Sequence, residues 1–292
     1  MAKSSRAPRS HFWMLVVLAE LPDFDVFFGW FGFHDLLSLH RSWTHSFLAA
    51  GVMGLLAWVL ARRIWRWEGL SGFAAYMIAS ESHVFCDWMT SYGTPLFWPF
   101  SSANFSLDLV SNLSLGPLVI LACGLLALKI WKDKSHWIVP SLWGALGVFL
   151  AFSIILHAQA LAYAGPGPTA YALPDLVNPL KWRVIHEDRL DREYRIFGVE
   201  PLSKESVFLG AYPLPPDSPW IGASQSDVRV QRFLRNDRWP VAWIAPKDGG
   251  EAVEWGNLLF FWSGRLRGKL TVNLDAKGKV VSVYRGSREV RE

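Results

Sequence analysis

The chain has 292 residues, of which 51% are hydrophobic and 17 are Trp, with a formal net charge of +4 and a mean hydropathy of +0.19. That is too apolar for an ordinary soluble domain with 18% charged residues, so a membrane protein is the first class implied. The basic residues form no long run interleaved with aromatics, which argues against nucleic acid as a partner, and the two cysteines, Cys86 and Cys123, offer no disulfide framework.

The N-terminus has a basic start with Lys3, Arg6 and Arg9, then an apolar stretch from His11 to Leu21. This stretch is too short to span a bilayer, which needs about 20 apolar residues. No small-x-small cleavage site follows it, so the segment reads as retained rather than as a cleaved signal peptide. Four longer runs are expected to span: Trp43 to Ile64, Leu70 to Met89, Leu113 to Trp131 and Trp137 to Tyr163.

Arg62, Arg63 and Arg66 lie at and just beyond the end of the first of these runs, and Lys129, Lys132 and Lys134 lie where the last two meet. The positive-inside rule assigns both basic loops to the cytoplasm. Alternation then puts "LPDFD" (residues 21–25), "HRSWTH" (residues 40–45) and "SHVFCDWMTS" (residues 82–91) on the outer side, together with everything after Ala164.

"AGPGPTAYALPD", residues 164–175, reads as a Pro/Gly linker. Beyond it, "KWRVIHED" and "EYRIFGVEPL" alternate polar and apolar residues about "RLDR", and "KLTVNLDAKGKVVSVYRG" does so about "DAKG"; both read as β-hairpins. "VQRFLRNDRW" reads as a short helix. The expected fold is an α-helical membrane domain over residues 1–164, with four spans and a short N-terminal helix. A linker over 165–175 and a small, mainly-β extracytoplasmic domain over 176–292 complete it.

Three polar clusters at the outer mouth carry the candidate chemistry. His83 and Asp87 are four residues apart on a helix, so they share one side and can hold either a metal or one another. His40 and His45, with Ser42, Thr44 and Ser46 around them, could supply metal ligands and the groups that orient them. Thr44 or Ser42 also suits a helix N-cap, and Arg41 suits either an anion or an ion pair with Asp23 or Asp25. Asp23 and Asp25 taken alone fit a solvated loop end. Beside the histidines they add hard oxygen donors suited to a divalent metal. Ionisable groups clustered at membrane depth are read as functional. No His-Glu-x-x-His or Gly-x-Ser-x-Gly motif occurs, which disfavours zinc proteases and serine esterases.

In this order, "LPDFD", "HRSWTHS" and "SHVFCDWMTSYGTPLFWPF" resemble the YdjM-like family of inner-membrane-associated, metal-dependent hydrolases. The resemblance is strongest over residues 12–110. More distantly, it extends to the zinc-dependent phospholipase C and nuclease superfamily. It implies a helical phosphoesterase-type site with a divalent metal, zinc by analogy, and Asp23, Asp25, His40, His45, His83 and Asp87 as ligands or proton-handling groups. It further implies an inner-membrane, multi-pass protein acting on a phosphoester or another ester, with lipid-linked substrates and membrane lipids as partners. Family members usually open with a further apolar helix bearing a Thr-His pair, and His11 does not match that position. Either the natural start lies upstream or one family ligand is missing. The competing expectation is a non-catalytic membrane scaffold whose polar cluster is structural.

Overall fold

A computed structural model describes residues 9–24, 43–65, 70–111, 113–165, 169–235, 237–262, 264–286 and 288–290. The chain divides into two compact units, Met1–Leu107 and Asp108–Glu292.

In the first unit, α1 (Arg9–Glu20) runs into a 3-10 turn, Leu21–Phe24. A second 3-10 turn, Trp43–His45, leads into α2 (Phe47–Trp65), which is followed by α3 (Leu70–Trp88). The start of α2 is capped by Ser46, whose Oγ accepts from the Ala49 amide at 3.2 Å. Capping therefore falls to Ser46 and not to Thr44, which leaves the Thr44 hydroxyl available to its neighbour.

Small residues set how closely α2 and α3 approach. A Cβ added at Gly54 would lie 3.1 Å from Ser80 Oγ and 3.2 Å from the Tyr76 carbonyl oxygen. Ser80 Oγ itself donates to the Ala50 carbonyl across the same seam. Leu18 of α1, Ala61 of α2 and Tyr76 of α3 form one buried cluster, and Ala50, Val84 and Leu96 form another. The loop after α3 folds back on the start of α2, where the Phe47 amide donates to the Leu96 carbonyl at 3.1 Å.

The second unit opens with a helical hairpin, α4 (Leu115–Ile130) and α5 (Ser135–Tyr163). Two sheets follow, of order β1-β2-β3-β4 and β11-β10-β9-β6-β5. The first comprises β1 (Ala170–Pro174), β2 (Trp182–Asp188), β3 (Glu193–Glu200) and β4 (Glu205–Pro213). The second comprises β5 (Pro240–Lys247), β6 (Gly250–Asn257), β9 (Leu270–Asp275), β10 (Val280–Arg285) and β11 (Arg288–Glu289). A separate two-stranded pair is formed by β7 (Phe261–Trp262) and β8 (Arg265–Leu266).

The alternating strands bury one set of residues on each face. Trp182, Val184 and Val199 pack on Leu156, Ala160 and Ala164 at the end of α5. Leu173, Ile185, Tyr194 and Ile196 pack the other way, on Trp239, Val241, Leu258 and Phe261. Two short helices, α6 (Pro219–Gln225) and α7 (Val228–Leu234), contribute Ile221 and Val230 to the core of the second sheet. The Arg238 guanidinium forks onto Asp108 at 2.7 and 3.0 Å and lies 4.2 Å over the Trp239 ring, which ties the entry to α4 to the sheets.

Both expected hairpins form, as β2/β3 and β9/β10, and α7 covers the first half of the stretch expected as a short helix, ending at Leu234. β1 begins at Ala170, inside the stretch read as linker, because Tyr171 and Leu173 alternate inward. The expected four spans are corrected. Among the described residues, two helices are long and apolar enough to cross a membrane, over Phe47–Ile64 and Lys132–Tyr163. The helix at Leu115–Ile130 is shorter, and α3 carries Glu81, His83 and Asp87. A run of apolar letters overstates a span when its helix is short or its last turns are ionisable.

Two outcomes follow. Gly54→Val forces α2 and α3 apart and is expected to lower stability by about 1–3 kcal/mol, read by thermal unfolding in detergent, while Gly147→Ala, in open space on α5, is expected to leave it unchanged or raise it slightly. In the second unit, burial pushes the Asp237 carboxyl up to about 7. A raised carboxyl pKa means the folded state holds the proton more tightly, so its stability falls as pH rises from about 4 to about 7. Asp237→Asn is expected to flatten that slope, measured by unfolding midpoints across the range.

Candidate metal centre

The chain brings four ionisable side chains to one point from three short elements. Asp23 lies in the 3-10 turn that ends α1, where Pro22 biases Leu21 away from continued α-helix. His45 ends the 3-10 turn just before α2, and His83 and Asp87 lie on the last two turns of α3. The α2–α3 seam fixes their relative height: Ser80 meets Ala50, so His83, one turn further along α3, comes level with His45 just ahead of the antiparallel α2.

Asp23 Oδ1 accepts from His45 Nε2 at 3.1 Å and lies 3.3 Å from His83 Nε2. Asp87 Oδ2 lies 3.5 Å from His45 Nε2 and 4.0 Å from His83 Nε2. The two imidazole rings meet edge to face with centroids 5.3 Å apart. One donor atom each from Asp23, His45 and His83 falls within 4.8 Å of the other two. A tetrahedral zinc site with metal–ligand bonds of about 2.0–2.1 Å has ligand–ligand edges of about 3.3 Å. The observed spacings bracket that edge, so the residues present fit such an ion.

The electrostatics suit a cation. Hydrogen bonds from His45 and then His83 hold the Asp23 carboxyl well below the usual carboxylate range. His45 is fully buried, whereas the Asp23 side chain is 48% exposed, so the cluster opens to solvent on the Asp23 side.

Orientation comes from groups around the cluster. Thr44 Oγ1 lies 2.9 Å from His45 Nδ1. A hydroxyl both donates and accepts, so Thr44 serves either tautomer. It donates to Nδ1 while Nε2–H bonds Asp23, and it accepts from Nδ1–H when the Nε2 lone pair binds a metal.

Of the six proposed ligands, Asp23, His45, His83 and Asp87 meet in this way. Asp25 and His40 lie outside the described residues, as does Arg41. His11 is buried elsewhere, with its Nδ1 2.9 Å from the Tyr76 hydroxyl. Glu81 carries no spacing signal, yet its carboxylate lies buried where α3 faces Gly51. A lone acid in an apolar helix is the one hint the sequence offers of it.

Comparisons with curated proteins and with solved structures find no match. A family model described as YdjM inner membrane protein matches residues 1–160, which include the whole cluster and nearly all of α5. That match covers more than half of the 292 residues; with a His/Asp cluster at the head of one membrane-capable helix, it shows that the chain belongs to the YdjM inner membrane protein family.

Proposed function

We propose that the chain is a membrane-bound, metal-dependent hydrolase acting on a phosphoester or another ester, lipid-linked substrates included. The observation that carries this reading is the spacing of Asp23, His45, His83 and Asp87, at 3.1–4.0 Å between imidazole nitrogen and carboxylate oxygen. Two imidazoles and two carboxylates form a mixed nitrogen and oxygen set, which suits zinc among divalent ions. Bound there, a divalent ion supplies Lewis-acid polarisation of a phosphoryl or carbonyl oxygen and activates water near neutral pH.

The chain's own residues divide the remaining work. Thr44 holds the His45 imidazole in place. With Asp23 engaged as a ligand, Asp25 is the carboxylate left to take a proton, His40 is a further ligand, and Arg41 stabilises developing negative charge. The basic residues Arg62, Arg63, Lys129, Lys132 and Lys134 support a multi-pass inner-membrane topology, with the cluster at the outer mouth and the C-terminal domain on the non-cytoplasmic side.

One observation favours a second reading. The His45–Asp23 pair also satisfies itself, because Asp23 accepts directly from His45. A membrane scaffold with a structural polar plug, whose β domain binds a partner, would need no metal.

The two readings separate on metal content. Protein purified in detergent is expected to retain about one zinc per chain by mass spectrometry, and His83→Ala and Asp87→Ala each to lose most of it. Thr44→Val is expected to weaken zinc affinity by about 10–100-fold, and Thr44→Ser to restore it. Hydrolysis of a chromogenic phosphodiester should follow the zinc content. Full metal content in both alanine variants sinks the assignment, and a metal-free wild type favours the scaffold.

A further inference from the structure

The second unit offers a surface that the hydrolase reading does not use. α5 has 29 residues, about 43 Å of helix, while a hydrocarbon core takes about 20 residues. A span that starts near Trp137 therefore ends near Leu156. From Leu156 to Ala164 the helix packs on the sheet instead. β1 runs back alongside these turns, so the strands lie beside the emerging helix and one end of the sheet points toward the bilayer.

Two contacts identify that end. The ring of His157, next to Leu156, lies 5.6 Å from that of Trp182 at the start of β2. Ser111 Oγ, just ahead of α4, donates to the Leu176 carbonyl at 2.7 Å in the loop between β1 and β2. The two contacts thus hold residues 175–181 beside the turns where α5 leaves its span. Trp182 pairs with Val199, so the turn between β3 and β4, residues 201–204, lies at the same end.

These two segments expose apolar side chains: Val177 is 42% exposed, Leu180 40% and Leu202 60%. The β1–β2 loop is held in shape, with Asp175 Oδ1 accepting from the Val177 and Asn178 amides and Asn178 Oδ1 from the Leu180 amide. The opposite end of the sheet, about 20 Å away along β2, also exposes an apolar side chain, Leu190, but sets it among charges. There Arg195 bridges Asp188, Asp191 and Glu193 around the β2–β3 turn.

We propose that residues 175–181 and 201–204 form a second membrane contact, in which Val177, Leu180 and Leu202 enter the interfacial layer of the bilayer that α5 crosses. The occupant is phospholipid, engaged through apolar insertion and not through headgroup charge. Lys181 is already paired with Glu200 at 2.8 Å, and Asp175 and Glu205 offset Lys204. The contact holds the β domain to the membrane at points other than its covalent tether. It rests on α5 being a span and is independent of any metal.

The test uses the full chain in a Cys86→Ser, Cys123→Ser background, reconstituted in phosphatidylcholine vesicles and labelled at one new cysteine with an environment-sensitive fluorophore. Val177→Cys and Leu202→Cys are expected to give blue-shifted emission, quenched by lipids carrying a spin label near the headgroup. Leu190→Cys, 96% exposed at the far turn, is expected to report water, and Val148→Cys on α5 to be quenched by deep-chain labels. Adding phosphatidylglycerol or salt should change none of this. Aqueous emission at both Val177 and Leu202 with Val148 still quenched overturns the contact. An unquenched Val148 overturns it by removing the span, and quenching that needs anionic lipid and vanishes in salt replaces apolar insertion with charge attraction.

Discussion

The close seam between α2 and α3 is the constraint on which the candidate site depends. Gly54 leaves room for the Tyr76 carbonyl and Ser80, and Ser80 donates to the Ala50 carbonyl across the gap. With the helices this near and antiparallel, the register that joins Ser80 to Ala50 also brings His83 and Asp87 to the height of His45. α1 then adds Asp23 from its terminal turn. Nothing in the seam itself is reactive. Its contribution is pre-organisation, which holds the four side chains together in advance of any ligand.

The cluster lies immediately before the first residue of a membrane-capable helix, since His45 precedes Phe47–Ile64 by two positions. Buried ionisable groups are tolerated there because each faces another: His45 has Thr44 on one nitrogen and Asp23 on the other. The second unit handles its charges in the same way, with Arg238 forked onto Asp108 and stacked on Trp239. Asp237, buried beside that pair and bonded by the Trp239 amide, is the exception, and burial raises its carboxyl accordingly.

Much of this was legible in the sequence, and for identifiable reasons. The four-residue spacing of His83 and Asp87 needs only helix geometry, and the hairpins about "RLDR" and "DAKG" need only alternation and turn residues. Membrane spans were harder to read. The run from Leu70 holds Glu81, His83 and Asp87, and the run from Leu113 folds into a helix of 16 residues. Composition also drops in hydrophobicity near residue 164, whereas packing groups α4 and α5 with the sheets. The reason is that Leu156, Ala160 and Ala164 bury against Trp182, Val184 and Val199, a long-range pairing that no local pattern encodes. Likewise the N-cap at Ser46 and the role left to Thr44 depend on where the helix starts, which sequence fixes only to within a few residues.

The central claim is that Asp23, His45, His83 and Asp87 form a metal site. Zinc K-edge X-ray absorption on the purified chain tests it most directly, because it reads the ligands and not only the presence of the ion. The account predicts a first shell of nitrogen and oxygen at about 2.0–2.1 Å, with the outer-shell scattering of two imidazoles. A shell containing sulfur at about 2.3 Å, or an absence of stoichiometric zinc, would contradict it.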